Sequence, residues 1–465
     1  MDKQLNVCPV RHQAIINANA PAIQTDELVL TYQALDSTLN LLGRQLLNLH
    51  LQTGDRLICL SENSLKLILL QLTCIRLGII FCPLNPRFSA AEIKQRLSIL
   101  KSNFIWLADP KKHSHLSSLS IDFSIIQDQA VTPVPLKIDA QKVCNIIFTS
   151  ASSGQAKAVM HSYSNHYHSA LGSQSRILLQ AKDRNLLSLP LFHISGFAAV
   201  IRTLIAGATL IVSAKKLSVS LLKKQKITHL SLVATQLYRL LTLSGFQAKD
   251  LSIKHLLLGG SVFSDRLLAQ TEQRGFIYHL SYGLSEMSSQ VATSTNSKKL
   301  QLLPGLQVKI INNEICLRGK MRFAGYFNGH LQSSVLPDQQ WFASKDLGAL
   351  MGNELSVSGR KDRLIISGGE NIQAEELESV LLSFSDIQQV YIVAVTDPLF
   401  GQRPVAFIDW VNGVIKQQQL QIYLQDKLSS YKRPAHYFVL PEQTGFKVSL
   451  KALQTTAQAA HDKTL

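Results

Sequence analysis

The chain of 465 residues is short of several things, and each shortage removes a class of protein. Its six cysteines form no C-x-x-C pair, which leaves neither a disulfide framework nor a zinc-ligand spacing. Cys8, Cys59, Cys74, Cys82, Cys144 and Cys316 are therefore expected to be buried free thiols in a reducing cytoplasm. No apolar run reaches the roughly 18 residues that a membrane span requires, because Lys66, Arg76 and Arg202 interrupt the longest ones. Met1 to Arg11 has no apolar core of the kind an export signal carries. Charge of one sign is also scarce: 47 Lys and Arg stand against 31 Asp and Glu, a formal net charge of +16 that points to an anionic partner. The basic pairs Lys111-Lys112, Lys215-Lys216, Lys223-Lys224 and Lys298-Lys299 are isolated and not interleaved with aromatics, so a solvated basic face is expected and nucleic acid is not. No repeat of 20 to 50 residues stands out.

What is present is a globular composition, 46% apolar with 24 glycines and 14 prolines, in a chain long enough for two to four domains. Short apolar runs recur at Leu57 to Leu60, Cys144 to Phe148, Leu186 to Leu189, Thr209 to Val212, His229 to Val233 and His255 to Leu258, each followed by a turn and a helical pattern. Strands buried on both faces read this way, so the expected class is α/β, with layered, mostly parallel sheets and helices in a large N-terminal domain. From Gln301 the texture changes. Val308 to Leu317 reads as a hairpin about Asn312-Asn313, followed by strand-like Trp341 to Asp346 and Glu354 to Ser358, a small β subdomain. At Gly359-Arg360-Lys361-Asp362-Arg363 the charge balance changes sign: 38 basic and 21 acidic residues precede Arg363, whereas 9 basic and 10 acidic lie from there to the end. A boundary at Asp362 is expected, with residues 1–361 forming the large domain and 362–465 a small α+β domain.

The segment Phe148-Thr149-Ser150-Ala151-Ser152-Ser153-Gly154-Gln155-Ala156-Lys157 follows a buried strand and is dense in small hydroxyl residues before a single lysine. Such a loop can offer backbone N–H groups, hydroxyls and a point charge to phosphate oxygens. It lacks the G-x-x-x-x-G-K-[ST] spacing, and on its own it also fits a plain linker. Arg202 sits in the apolar stretch Phe197 to Ala208, where an unpaired guanidinium costs several kcal/mol. A buried acid from elsewhere in the chain or a substrate carboxylate would serve it equally.

Six motifs follow one another in order: the Thr149 to Lys157 loop, Leu189-Pro190-Leu191-Phe192-His193-Ile194-Ser195-Gly196, Leu258-Gly259-Gly260, Tyr282-Gly283-Leu284-Ser285-Glu286, Trp341 to Asp346 with Gly359 to Asp362, and Ser367-Gly368-Gly369-Glu370-Asn371-Ile372. Together they resemble the adenylate-forming superfamily of acyl-CoA synthetases, peptide-synthetase adenylation domains and luciferases. The resemblance implies an ATP-dependent acid–thiol ligase that forms an acyl-adenylate and uses ATP, Mg²⁺ and CoA. It places Thr149, Ser150, Ser152, Ser153, Gly154, Lys157, Gly259, Gly260, Ser281, Tyr282, Gly283, Ser285, Asp346 and Arg360 around the nucleotide. Glu286 would hold the metal and take part in catalysis with Thr149, Asp362 would be the hinge of a mobile C-terminal domain, and Gly368 and Gly369 would line the CoA tunnel. Leu440 to Lys447 resembles the segment ending in the lysine that bridges the reacting carboxylate and the α-phosphate, although Phe446 separates Gly445 from Lys447.

His193, Ser195, Gly260 and Arg202 would contact the acyl substrate. The arginine nine residues after the histidine and the compact length are similar to the o-succinylbenzoate:CoA ligases of menaquinone biosynthesis, whose substrate is an aromatic dicarboxylate. Arg202 would then hold the carboxylate that is not activated, with a bidentate geometry that lysine does not reproduce. Other aryl- or acyl-CoA ligases, and adenylation enzymes with a carrier-protein acceptor, share most of these motifs, and homo-oligomerisation is left open. The loop departs from the family pattern in having Ala151 for Gly, Ser153 for Thr and Ala156 for Pro, and the ribose motif has Ser344-Lys345 for Thr-Gly. An alanine forced to positive φ is strained, so Ala151→Gly is expected to raise or preserve the rate of ATP–pyrophosphate exchange; a large fall in that rate would show the loop to have been misread.

Overall fold

The computed structural model of the chain describes residues 5–124, 137–149, 156–243, 247–331, 337, 340–441 and 448–463. Three sheets organise it, of thirteen, six and five strands. At the centre of the largest, Thr209–Ile211, Arg184–Leu186, His229–Leu232, His255–Gly259 and Tyr278–Leu284 run parallel, as expected for the runs at Thr209, His229 and His255. Antiparallel strands from Ser289–Thr293 to Glu354–Arg360 continue the same sheet, so the β subdomain expected from sequence is hydrogen-bonded directly onto the parallel core. The hairpin forms as read: Leu306–Ile311 pairs with Glu314–Gly319, and Asn312 and Asn313 take the positive φ values of 50° and 63° that a two-residue turn demands.

The six-stranded sheet sets Val143–Thr149 beside Ile80–Leu84 in parallel and beside Lys157–Ser162 in antiparallel pairing, so Thr149 and Lys157 are register partners at the sheet end. The third sheet is built from residues after 363, with Leu364–Ser367, Glu370–Gln373, Ile387–Asp397, Gly401–Trp410 and Tyr437–Val439. Its cores, around Ile365, Leu377, Trp410 and Leu424 on one side and Val395, Phe407 and Leu453 on the other, consist of residues from this part of the chain alone.

One expected strand is displaced. The run Leu186 to Leu189 is strand only at its first residue, because the strand is Arg184–Leu186. Its polar start was invisible to a hydrophobic count: Asn185 is buried, with its amide donating to Thr203 Oγ1 at 2.8 Å. All six cysteines are buried, as expected. Burial pushes the thiols of Cys59, Cys74, Cys82, Cys144 and Cys316 up from their ordinary value. Arg76, which interrupts an apolar run, is explained by an internal ion pair. Its Nη2 lies 2.7 Å from Asp36 Oδ1 and its Nη1 2.7 Å from Asn40 Oδ1, and Arg11 closes on the same carboxylate. The network ties helix Pro9–Ile16 to Tyr32–Asn48 and Leu65–Leu77. Removing the acid would leave a buried guanidinium unmatched, so Asp36→Ala is expected to cost about 3–5 kcal/mol of stability in urea unfolding, against a small effect if the pair were solvated.

Candidate active site

The carboxyl ends of the parallel strands converge on one edge, where ligand crevices form in open α/β sheets. Gly259 ends His255–Gly259 and pairs with Ser281, and Gly260 follows at φ 72°. Gly283 has no room for a side chain, since a Cβ there would lie 2.0 Å from Ser289 O. The chain then turns through the short 3-10 segment Ser285–Met287, which presents Glu286. Tyr326 donates its phenolic hydrogen to Glu286 Oε1 at 2.7 Å, and Lys157 Nζ sits 4.8 Å from the centre of the Tyr326 ring. Burial and the neighbouring Glu286 hold the Tyr326 phenol protonated, well above its ordinary range. The structure thus brings together the lysine of the hydroxyl-rich loop and the expected metal ligand through an aromatic residue that no motif had singled out.

A second cluster surrounds Asp346. Strands Phe342–Met351 and Glu354–Arg360 pair so that Asp346 faces Arg360, with Arg360 Nη1 3.0 Å from Asp346 Oδ1. Tyr282 donates its hydroxyl to the other oxygen of Asp346. Arg360 also makes a two-pronged contact with Asp362, Nε to Oδ1 at 3.1 Å and Nη2 to Oδ2 at 3.0 Å. Burial alone would lower the guanidinium, but hydrogen bonding to Asp362 and the charges of Asp346 and Asp362 raise it above its usual value. Each Asp346 oxygen retains a lone pair after one bond, which is what acceptance from two ribose hydroxyls requires.

The third cluster lies deeper. His193 is the N-cap of helix Ile194–Ile205, and Gly196 is packed so tightly that a Cβ would sit 2.1 Å from Pro190 O. At 100° per residue, Ser195 and Arg202 share one face of this helix, and His193 immediately precedes it in extended backbone. Arg202 is buried. Among the described residues its two terminal nitrogens meet only Ser173 Oγ at 3.5 Å and Ser231 Oγ at 3.4 Å, long contacts to neutral hydroxyls. Burial lowers its pKa to about 10, and among the described residues no carboxylate pairs with it. Ser231 pairs with Leu257, two residues before Gly259 ends the neighbouring strand, which at 3.3 Å per residue puts Arg202 roughly 7 Å below that strand end. Ser173, Ser231 and Tyr326 escaped sequence reading; the only signal for Ser231 is a polar residue within an apolar strand.

Gly368 and Gly369 turn between Leu364–Ser367 and Glu370–Gln373 at φ 59° and 84°. Ser150, Ala151, Ser152, Ser153, Gly154 and Lys447 lie outside the described residues. Ser285 is fixed from behind. His161 Nε2 lies 2.7 Å from Ser285 O, and its Nδ1 3.1 Å from Asn145 Nδ2. Burial lowers His161 to about 4, so it is neutral, with Nε2 donating to the carbonyl and Nδ1 accepting from the amide. An unfolded histidine titrates near 6.5. The unfolded chain therefore takes up this proton first as pH falls, and stability present above about 6.5 is lost toward pH 4, by roughly 2–3 kcal/mol from this residue. Urea midpoints measured at pH 7 and pH 4.5 should show that loss, and His161→Gln should shrink it.

A family model described as AMP-binding enzyme matches residues 10–327, and one described as AMP-binding enzyme C-terminal domain matches residues 376–445. The chain is 32% identical to the 2-succinylbenzoate–CoA ligase of Salmonella typhimurium over 453 residues, covering 96% of this chain and 97% of that protein. Its structure is similar to that of an Escherichia coli MenE variant with bound OSB-AMS, at TM-score 0.85 and 31% identity, over 97% of this chain and 98% of that one. It is also similar to o-succinylbenzoate coenzyme A synthetase (MenE) from Bacillus subtilis in complex with ATP and magnesium ion, at TM-score 0.83 and 27% identity, over 97% and 99% of the two chains. No helix among the described residues is long and apolar enough to cross a membrane. With the glycine turns, the Glu286 segment and the Asp346 to Asp362 cluster all in place, the chain belongs to the AMP-binding enzymes, and within them to the 2-succinylbenzoate–CoA ligase family.

Proposed function

We propose that the three clusters share the work of one ATP-dependent ligation. The chain converts 2-succinylbenzoate and CoA to the CoA thioester through an acyl-adenylate, with release of pyrophosphate and then AMP. In the first half-reaction a carboxylate oxygen attacks the α-phosphorus of ATP and pyrophosphate leaves. In the second, the CoA thiol attacks the acyl carbon and AMP leaves. Neither step needs a protein nucleophile; both need anions held together and charge neutralised as it shifts.

Asp346 takes the ribose hydroxyls while Tyr282 and Arg360 fix its orientation. Thr149, Lys157 and the loop between them hold the phosphates, and Lys447 bridges the reacting carboxylate and the α-phosphate. A single carboxylate with spare lone pairs suits Mg²⁺, which keeps most of its waters and takes phosphate oxygens as its remaining ligands, and Glu286 is that group. When bound, the ion neutralises charge on the departing pyrophosphate. Residues 362–465 move as a unit about Asp362 between the half-reactions, exchanging Lys447 for the Gly368-Gly369 turn, whose lack of side chains admits a narrow pantetheine arm. A cytoplasmic location matches both the reduced thiols and the soluble substrates.

The observation that carries the choice of acid is Arg202, a buried guanidinium offered only two long hydroxyl contacts. A depth of roughly 7 Å below the strand end suits an aromatic dicarboxylate whose succinyl end is activated above while its ring carboxylate meets Arg202 below. A monocarboxylic acid would leave that charge unmatched. The test is mass-spectrometric identification of the products formed from ATP, Mg²⁺, CoA and 2-succinylbenzoate, with benzoate and octanoate in parallel. Thioester is expected from the dicarboxylate alone. Arg202→Met should lower kcat/KM for it by at least about thirtyfold while leaving the ligand-free protein as stable or more stable, since a buried charge has been replaced by an apolar chain. Equal use of benzoate by the unsubstituted protein would overturn the assignment.

A further inference from the structure

Behind the phosphate-binding end of the site lies a cleft of about 420 Å³ with no part in the chemistry so far. One wall is the end of helix Ala90–Leu100, with Ser98, Ile99 and Lys101. The other is Ala156, Lys157 and Ala158 on one strand and Tyr326, Phe327 and Asn328 on and after its neighbour. Its inner end is Lys157, over the Tyr326 ring whose hydroxyl reaches Glu286, so the cleft begins where the metal and phosphates are held. Its outer end is Lys101, an exposed residue whose ammonium lies against the backbone of Gly329, 2.9 Å from where a Cβ would stand.

The charge of this cleft is one-sided. Among the described residues no carboxylate lines it and neither lysine has an acidic partner. A helix C-terminus would ordinarily repel an anion through its free carbonyls. Here Arg56 covers them, with Nε on Leu100 O at 3.1 Å and Nη2 on Lys101 O at 2.8 Å. At about 30 Å³ per water, the space accommodates a diphosphate with part of its hydration.

We infer that this cleft is a diphosphate subsite through which pyrophosphate leaves, with Lys157 handing the anion to Lys101. The inference rests on the adenylation chemistry proposed above. Pyrophosphate must depart while the acyl-adenylate stays bound, so a route beginning at the phosphates and ending at a cation in solvent lets the product go without release of the intermediate. The diphosphate of CoA has the same chemistry, but it arrives in the second half-reaction. The cleft's contact with Lys157 and Tyr326 favours the product of the first.

The experiment titrates the full-length protein calorimetrically with magnesium pyrophosphate and separately with CoA. It then measures product inhibition by pyrophosphate, for the unsubstituted chain, Lys101→Glu and, as a control on the same helix outside the cleft, Lys94→Glu. Lys101→Glu is expected to raise both the Kd and the inhibition constant for pyrophosphate about tenfold or more, with KM for ATP and CoA changed less than about twofold and Lys94→Glu behaving like the unsubstituted chain. Unchanged pyrophosphate constants would overturn the inference, as would an equal shift from Lys94→Glu or a shift confined to CoA. Failure of the underlying ligation reads differently: the unsubstituted chain would form no thioester, while the pyrophosphate titration would still report on the cleft.

Discussion

The guanidinium of Arg360, held between two carboxylates, is the contact on which the two ends of the molecule depend. On one side it orients Asp346, already fixed by Tyr282, and on the other it grips Asp362 at the start of the chain's last hundred or so residues. A planar donor with a fixed fork meets two acids in set directions, which the point charge of an ammonium does not impose. Anything that turns the backbone at Asp362 must therefore rearrange the partner of the residue that orients Asp346. In the proposed reaction, Arg360 would couple ribose binding at Asp346 to the orientation of the C-terminal part.

Legibility followed physics. Parallel strands were evident in the sequence because burial on both faces leaves an unbroken apolar signature, as in Leu57 to Leu60, and the Asn312-Asn313 hairpin because positive φ restricts residue choice. Arg184–Leu186 was misplaced because its interior-facing Asn185 is satisfied by Thr203, a contact eighteen residues away that no local pattern records. At the site, residues whose chemistry depends on a turn or a charge, such as Gly283, Glu286, Asp346 and Arg202, stood out. Those that act by holding them did not: Tyr326, His161 and Ser231 have unremarkable sequence surroundings, and their roles arise from approaches across sheets and helices.

The positive charge of the chain also acquires an explanation. The excess lies before Arg363, the part that must gather ATP, a dicarboxylate and CoA. Some cations are spent internally, as Arg76 is on Asp36, and these add nothing to the field outside. Arg202 is the opposite case, a desolvated charge without an internal acid among the described residues, so the fold carries its cost until an anion arrives.

An acyl-adenylate is an electrophile, and any thiolate within reach would be acylated by it. The chain keeps its six cysteine sulfurs in the core, and burial holds five of them in the thiol form, so the protein's own cysteines are withheld as both nucleophile and competitor. Their interior placement, which at first only excluded disulfides and zinc, thereby protects the yield of the reaction, since an activated acyl group that waits for CoA is not lost to self-modification.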